Sequence, residues 1–213
     1  MALFQRRPQV SDSIQYYSIG LNKTILLVGL GNPGKQYDQT RHNIGYVCID
    51  HFVSKTEELS DWTEKKDLKC WFSTGQLGSN RIIAIKPTTF MNLSGEAVQA
   101  VMQFYKVPLE QVTLIHDELD INFGHIRTRI GGSSAGHNGV KSITELVGEE
   151  TGRIRIGIGP KTPPQMEASD FVLQKFSALQ LKEMPALTRE VTAMLSEYVY
   201  GSQLTAETRS FLL

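Results

Sequence analysis

The chain has 213 residues, and its 22 Lys and Arg residues balance 22 Asp and Glu residues, so its formal net charge is zero. A composition of 40% hydrophobic and 21% charged residues is that of an ordinary globular protein and excludes an intrinsically disordered chain. No apolar run approaches the roughly 18 residues that a membrane-spanning helix requires. Zero net charge argues against non-specific coating of nucleic acid, while leaving room for a local basic patch.

The length fits one domain with a substantial core, which we assign to residues 23–213. Residues 1–22 are interpreted as an N-terminal extension. They have few acidic residues but lack the apolar stretch of a secretory signal, so an organelle-targeting segment is the alternative. The two cysteines, Cys48 and Cys70, are too few for a disulfide framework and match no metal spacing, which indicates a reducing, cytosol-like compartment.

The first half of the chain alternates between strand and helix patterns. Residues 25–28 form a short apolar run typical of a buried strand. A loop rich in Gly and Pro follows, and apolar residues then return at helical spacing over residues 44–52. Residues 81–85 predict a second buried strand. Ser94 is a candidate N-cap for a helix whose apolar stripe covers residues 97–105.

The second half continues the alternation. Residues 112–115 predict a third strand, and residues 131–139 are too rich in glycine to be regular, so they suit a mobile loop. Isoleucines alternate with arginines over residues 153–158, which predicts a strand with one buried face and one polar or ligand-facing side. Residues 181–198 predict a long amphipathic helix. Strands alternating with helices predict an α/β fold around one sheet in a single domain.

Residues 29–34 match the G-x-G-x-x-G pattern of dinucleotide-binding loops. Three details count against that use. Pro33 lacks the N–H that a phosphate-binding loop would donate. Helical periodicity resumes only near Ile44, and the acidic residue about twenty positions on, Asp50, falls inside the predicted helix rather than at the end of a strand. A tight turn that positions Asn32 is the better interpretation.

Polar side chains follow three of the predicted strands. Ligands of open α/β sheets usually bind outside the carboxyl ends of the strands, so we expect these segments to meet there. They are Asn32 with Tyr37 and His42, then Thr88–Asn92, then His116–Glu118.

The side chains of this set support only a few kinds of catalysis. A histidine such as His42 can act as a base near neutral pH, and a carboxylate behind it would fix its tautomer. Asparagine side chains can bind a carbonyl or stabilise an oxyanion. The G-x-S-x-G nucleophile motif is absent, so the attacking group would be water activated by His42, and the reaction would be hydrolysis of an activated acyl bond.

Each of these residues also has a structural interpretation. His42 would be a histidine at a helix start or on the surface, Asp117 a turn residue, and Asn92 a helix cap. His137 and Asn138 would merely shape the glycine-rich loop. A hard cation held by His116, Asp117, Glu118 and Asp120 is a further alternative, although adjacent strand residues point to opposite faces.

Basic residues are concentrated late in the chain: residues 121–161 include six basic and three acidic residues. Two of the arginines are candidates for binding phosphate. They are Arg129, beside the glycine-rich loop, and Arg155, on the alternating strand. The alternative is a solvated basic face. A patch this small suits a few phosphates and not a long duplex.

Taken together, these motifs resemble the bacterial-type peptidyl-tRNA hydrolases. The matching segments occur in the order of the family and cover residues 24 to about 200. They are Val28–Gly34, Thr40–Asn43, Lys86–Gly95, His116–Asp120, Gly136–Gly139 and Arg153–Gly159.

The resemblance implies hydrolysis of the ester between a peptide and the terminal ribose of tRNA, which recycles tRNA from aborted translation. It implies that His42 is the base, that Asp117 supports it, and that Asn32 helps to select blocked over free aminoacyl-tRNA. Arg129 and Arg155 would contact a tRNA phosphate. We place Asn32 and Asn92 in the catalytic set with His42 and Asp117. The substrate-binding set is Tyr37, Phe90, Met91, Asn92, His137 and Asn138.

The resemblance further implies a mixed, mostly parallel sheet flanked by helices on both faces. It implies no organic cofactor and no metal, and a monomer whose partner is tRNA rather than a membrane. The expected compartment is the cytoplasm, or an organelle matrix if residues 1–22 are a targeting segment.

One segment departs from the family pattern. The glycine-rich loop usually has more glycine and often a histidine at position 134, where this chain has Ser134; Ser133 and Ala135 are also bulkier than usual. Two rival functions stay open at this point. One is an RNA-binding protein on the same fold, as in some plant organellar relatives that serve in intron splicing, and the other is a nicotinamide-dependent oxidoreductase.

Overall fold

The structure is a computed structural model that describes residues 23–201 and 203–212. The N-terminal extension assigned to residues 1–22 lies outside these residues. The described residues form one eight-stranded sheet with helices on both faces. Among residues 23–201 and 203–212, no helix has the length and apolar character needed to cross a bilayer.

The sheet is mixed, as expected. Its strands are β1 (Thr24–Gly29), β2 (Thr63–Lys65), β3 (Cys70–Leu77), β4 (Asn80–Pro87), β5 (Val112–Asn122), β6 (His125–Ile130), β7 (Gly152–Gly159) and β8 (Thr208–Ser210). Their order is β2-β3-β4-β1-β5-β7-β6-β8. The four central strands β4, β1, β5 and β7 pair in parallel, and the strands at both edges pair antiparallel. The α/β class and the mixed sheet are therefore confirmed. The expectation of a mostly parallel sheet was wrong in detail: among the described strands three pairings are parallel and four are antiparallel, because β2, β3, β6 and β8 all pair antiparallel at the edges.

Helices cover both faces of this sheet. They are α1 (Ile44–Lys55), α2 (Ser94–Tyr105), α3 (Asn138–Val147), α4 (Ala168–Leu173) and α5 (Ala178–Gly201). Apolar residues of α1 and α5 form one core with the isoleucines of β7, and those of α2 and α3 form a second core on the other face. The predicted alternation over residues 153–158 thus corresponds to isoleucines in the first core and arginines on the opposite face.

The prediction that Ser94 is an N-cap was wrong. Ser94 is the first residue of α2 and has helical dihedral angles, φ −59° and ψ −28°. An N-cap must be non-helical, and here a 3-10 turn over Met91–Leu93 runs directly into the helix. The Ser94 hydroxyl instead donates to the carbonyl oxygen of Met91 at 2.8 Å.

β5 is longer than the predicted strand over residues 112–115. It continues because β7 pairs with it through Glu118, so Asp117 lies within the strand, opposite Ile156. The glycine-rich segment is shorter than predicted, since α3 begins at Asn138.

Glycines let α1 approach the sheet closely. A Cβ atom on Gly45 would lie 2.2 Å from the carbonyl oxygen of Ile115 and 2.5 Å from the amide nitrogen of Leu30. A Cβ atom on Gly29 would lie 2.4 Å from Ile49 Cγ2. Gly29, the first residue of the G-x-G-x-x-G match, therefore serves helix packing, and this packing places the turn before α1 beside β5.

Candidate active site

His42 and Asp117 form a buried hydrogen-bonded pair. His42 lies in a 3-10 turn over Arg41–Asn43, directly before α1. Its Nδ1 is 2.9 Å from Asp117 Oδ1, and both side chains are at least nine-tenths buried. The pair joins residues 75 positions apart in the chain.

Each side chain of this pair stabilises the charged form of the other. Burial alone would raise the pKa of Asp117, but the neighbouring His42 and His137 hold it far below its usual range, so the carboxylate is ionised. Burial alone would lower the pKa of His42, but the charge and hydrogen bond of Asp117 outweigh it, and the net pKa of His42 is raised. The Nδ1–H of His42 therefore donates to Asp117, and its Nε2 holds the lone pair of a base.

His137 contacts the same carboxylate oxygen. Its Nε2 is 3.1 Å from Asp117 Oδ1. Its Nδ1 accepts hydrogen bonds from the backbone amides of Gly139 and Val140, at 3.1 and 3.2 Å, so His137 is the N-cap of α3. The imidazole centroids of His42 and His137 are 4.7 Å apart.

Asn32 is held by its neighbours on both sides. Its amide nitrogen donates to Asn43 Oδ1 at 2.8 Å, and Asn43 Nδ2 donates to its carbonyl oxygen at 2.9 Å. Its side-chain Oδ1 accepts from the backbone amide of Met91 at 2.8 Å. Because Oδ1 is engaged, the side-chain Nδ2 of Asn32 is the group left to donate to a ligand.

Most of the predicted site residues line one cleft. A cavity of about 330 Å³ is lined by Asn32, His42, Phe90, Met91, Asn92 and Asn138, together with residues of α4. An adjoining cavity of about 130 Å³ shares His42 and Asn138 and extends past Asp117 and His137 to the glycine-rich loop. Tyr37 lies beside this cleft, with its ring edge-on to that of Phe90 at 6.3 Å.

The wall made by α4 was not predicted from the sequence. Ser169, Val172 and Leu173 of this helix line the larger cavity. Arg41 holds the helix in place: its guanidinium lies 4.2 Å from the ring centroid of Phe171 and donates to the carbonyl oxygen of Lys175 at 3.1 Å. A six-residue helix is too short for a clear periodicity, so the only sequence signal was the arginine within the Thr40–Asn43 motif.

A cluster of arginines lies on β6 and β7, next to the glycine-rich loop. Arg129 pairs in register with Arg153 across the two strands. Both guanidinium groups donate to the carbonyl oxygen of Ser133 at 2.7 Å. Arg155 has one acidic neighbour within 4 Å among the described residues, Glu118 at 3.8 Å. Burial and the nearby charge of Arg129 lower the pKa of Arg155, so the two predicted phosphate contacts, Arg129 and Arg155, lie close together.

Arg153 was not predicted as a functional residue. It is fully buried, and its Nε and Nη2 have no hydrogen-bond partner among the described residues. Burial and the charges of Arg129 and Arg155 lower its pKa to about 10. Its side chain anchors the glycine-rich loop through Ser133, and the excess of positive charge suits an anion.

Comparisons with known proteins show which family the chain belongs to. A family model described as peptidyl-tRNA hydrolase matches residues 26–211. The chain belongs to the peptidyl-tRNA hydrolase family. A peptidyl-tRNA hydrolase from Gloeobacter violaceus is 39% identical over 191 residues, which cover 87% of this chain and 95% of the relative. One from Rickettsia bellii (strain RML369-C) is 42% identical over 153 residues, covering 72% of this chain and 81% of the relative. The crystal structure of peptidyl-tRNA hydrolase from Acinetobacter baumannii has a TM-score of 0.78 at 31% identity and covers 86% of this chain and 92% of that one.

The glycine-rich loop of this family member includes a strained alanine. Ala135 has φ +47°, in the left-handed region that Gly131, Gly132 and Gly136 also occupy. The left-handed conformation costs a non-glycine residue roughly 1–2 kcal/mol. The position therefore favours glycine.

We expect Ala135→Gly to raise the free energy of unfolding by about 0.5–1 kcal/mol, because the strain relieved exceeds the entropy that glycine adds to the unfolded chain. Urea denaturation would measure the change. Ala193→Gly, at an exposed position inside α5, is the matched control and should lower stability by about 1 kcal/mol. Equal losses in the two variants would contradict the strain at Ala135.

The same side chains also offer a candidate set of metal ligands. One nitrogen each of His42 and His137 and an oxygen of Asp117 lie within 4.8 Å of one another. However, the Nδ1 of His137 accepts two backbone amides, so its Nε2 carries the proton that bonds Asp117. A metal would have to displace that proton and the one on His42. This donor set fits hydrogen bonding better than metal ligation, and the absence of a metal stays a prediction.

Proposed function

We propose that this chain hydrolyses the ester between the peptide and the 3′-terminal ribose of peptidyl-tRNA, releasing free peptide and tRNA. One observation carries the proposal. A buried carboxylate holds His42 with its Nδ1–H turned inward, beside a cleft lined by amide side chains. This arrangement suits a general base that activates water against a carbonyl group.

The positions of these groups support the following steps. His42 Nε2 takes a proton from water, and the resulting hydroxide attacks the ester carbonyl carbon. The charge that develops on the carbonyl oxygen would be stabilised by the free Nδ2 of Asn32 and by Asn92. The imidazolium of His42, stabilised by Asp117, then returns the proton to the departing ribose oxygen as the C–O bond breaks.

The remaining cleft residues suit the 3′ end of the tRNA and the adjoining peptide. Phe90 is 53% exposed at the mouth of the cleft, where an unstacked base can stack on its ring. Asn92 and Asn138 are exposed and line the same cavity. We assign Tyr37 and Met91 to the same surface, since the ring of Tyr37 contacts that of Phe90 and Met91 lines the cavity.

We assign phosphate binding to Arg129 and Arg155. Arg129→Ala or Arg155→Ala should raise KM with little effect on kcat and flatten the salt dependence of kcat/KM by about one unit of logarithmic slope. Steady-state kinetics across a salt series would measure both. Arg189→Ala, an exposed arginine on α5 across the sheet, is the matched control. An unchanged salt slope in both variants would indicate that these arginines belong to a solvated basic face and do not bind phosphate.

The activity itself is tested with N-acetylated aminoacyl-tRNA and free aminoacyl-tRNA as parallel substrates. We expect release of tRNA from the blocked substrate and little from the free one, because the free substrate presents a charged ammonium group to a cleft of neutral amides. Tight binding of tRNA without release would overturn the proposal in favour of the RNA-binding alternative. Binding of a nicotinamide cofactor would favour the oxidoreductase.

Two further properties stay predictions. We propose that the chain acts as a monomer, which light scattering on the purified protein would check. We also propose a cytoplasmic or organelle-matrix location, depending on whether residues 1–22 target the chain.

A further inference from the structure

We infer that His137 is a positioning residue of the reaction, which holds the Asp117 carboxylate against His42 and ties the start of α3 to the catalytic pair. The inference deepens the proposed function and rests on it. It goes beyond the sequence-based expectation that His137 contacts the substrate. His137 does line the smaller cavity, but its two ring nitrogens are engaged inside the protein.

The tautomer of His137 follows from its hydrogen bonds. Two backbone amides, those of Gly139 and Val140, donate to Nδ1, so Nδ1 must carry a lone pair. The proton of the neutral ring is therefore on Nε2, directed at Asp117 Oδ1 at 3.1 Å. The helix start thus selects the tautomer that donates to the carboxylate.

This hydrogen-bonding pattern excludes His137 as a general base. With the lone pair on Nδ1 and the proton on Nε2 both engaged, His137 has no free lone pair with which to act as a base. It cannot take over from His42 without breaking the cap of α3. Its contribution to the reaction is made through Asp117.

Asp117 has two donors on one oxygen. His42 Nδ1 lies 2.9 Å and His137 Nε2 3.1 Å from Oδ1, approaching from the turn before α1 and from the start of α3. The two donors fix the direction of a carboxylate on a strand that extends past the end of β1. A carboxylate held by both elements keeps the Nε2 of His42 aimed at the cleft.

Among the described residues, the other charged or titratable groups near this position include His116 and Glu118 on the same strand and Arg153 on β7, whose charge acts on His116. His116 is buried, its Nδ1 lies 2.8 Å from the carbonyl oxygen of Asp117, and its ring centroid is 4.8 Å from that of His137. Burial and the nearby His137 keep the pKa of His116 well below its usual value, so it is neutral. Glu118 lines the smaller cavity and lies 3.8 Å from Arg155.

The substitution His137→Asn separates the two roles of the side chain. Asparagine is among the best N-cap residues, and its Oδ1 can take the place of the ring Nδ1. Its side chain ends before the position of Nε2, so the bond to Asp117 is lost. His137→Ser, a second capping residue, guards against a folding defect peculiar to asparagine.

We expect His137→Asn to stay folded at the assay temperature, with a melting temperature a few degrees below wild type because the buried bond to Asp117 is lost. It should keep its KM and lose about 10- to 100-fold in kcat, the range for a hydrogen bond to a charged group. The acid limb of its pH–rate profile should move to higher pH, because Asp117, with one donor fewer, attracts the proton of His42 more strongly. In an Asp117→Asn background, His137→Asn should cause no further loss in kcat.

Three outcomes would overturn the inference. Wild-type kcat with an unchanged pH profile would show that His137 is only a helix cap, and a rise in KM alone would show that it is a substrate contact. An equal loss of kcat in the Asp117→Asn background would show that His137 does not act through Asp117. The titration of His42 by NMR in wild type and His137→Asn needs no substrate. If the wild-type protein releases no tRNA, the proposed function fails, and a raised His42 pKa in the variant would still support the positioning role.

Discussion

Replacing His42 by alanine is expected to lower kcat by about 10²- to 10⁴-fold, because the substitution removes the general base while leaving the cleft intact. Single-turnover hydrolysis of N-acetylated aminoacyl-tRNA would measure the loss, and the affinity for tRNA should be unchanged. His125→Ala is the matched control, since His125 is exposed on β6. A His42→Ala protein with near-full activity would refute the assignment of His42 as the general base.

The same base predicts the pH dependence of the wild-type enzyme. Catalysis needs the neutral form of His42, so kcat/KM should be lost as the pH falls through the pKa of that residue. Asp117 raises this pKa above the ordinary histidine value of about 6.5, and the acid limb should therefore have its midpoint above that value. A flat profile across the titration range of histidine would contradict the assignment.

Asp117→Asn is expected to lower kcat on the order of 10³- to 10⁴-fold, the effect seen when the aspartate of a Ser-His-Asp triad is changed to asparagine. The asparagine amide can donate to His42 Nδ1, which places the proton on Nε2 and leaves no lone pair toward the cleft. It also removes the charge that stabilises the imidazolium. The acid limb should accordingly move to lower pH.

The control for this variant is Asp120→Asn, an exposed carboxylate on the same strand. It should retain wild-type kcat and pH dependence. Near-UV circular dichroism would establish that Asp117→Asn keeps its tertiary packing. A loss smaller than about tenfold in a folded Asp117→Asn protein would show that His42 does not depend on the carboxylate.

The location of the cleft could be inferred from the sequence. Asn32 follows β1, Asn92 follows β4, and the carboxyl ends of parallel neighbours lie at the same edge of the sheet. The prediction used only strand periodicity and the order of elements. It was less accurate for Asp117, which lies inside β5 and not after it, because the length of β5 depends on pairing with β7.

Side-chain partners were less predictable. His137 appeared in the sequence as a residue of an irregular loop, and its role as an N-cap depends on α3 beginning at Asn138. In the sequence, Arg153 lies at a polar position of an alternating strand, and such a position predicts a solvated or ligand-facing side chain. It is fully buried because the loop at Ser133 folds over it.

The sequence by itself determined the α/β class, the elements β1, α1 and β4, and the set of side chains available for catalysis. These features rest on local periods and turn chemistry, which neighbouring residues carry. Only the tertiary structure decided that His42 and Asp117 meet across 75 positions, that His137 donates to the same oxygen, and that α4 closes the cleft. These contacts depend on strand register and helix packing. A shift of one residue in β5 would turn Asp117 to the opposite face of the sheet.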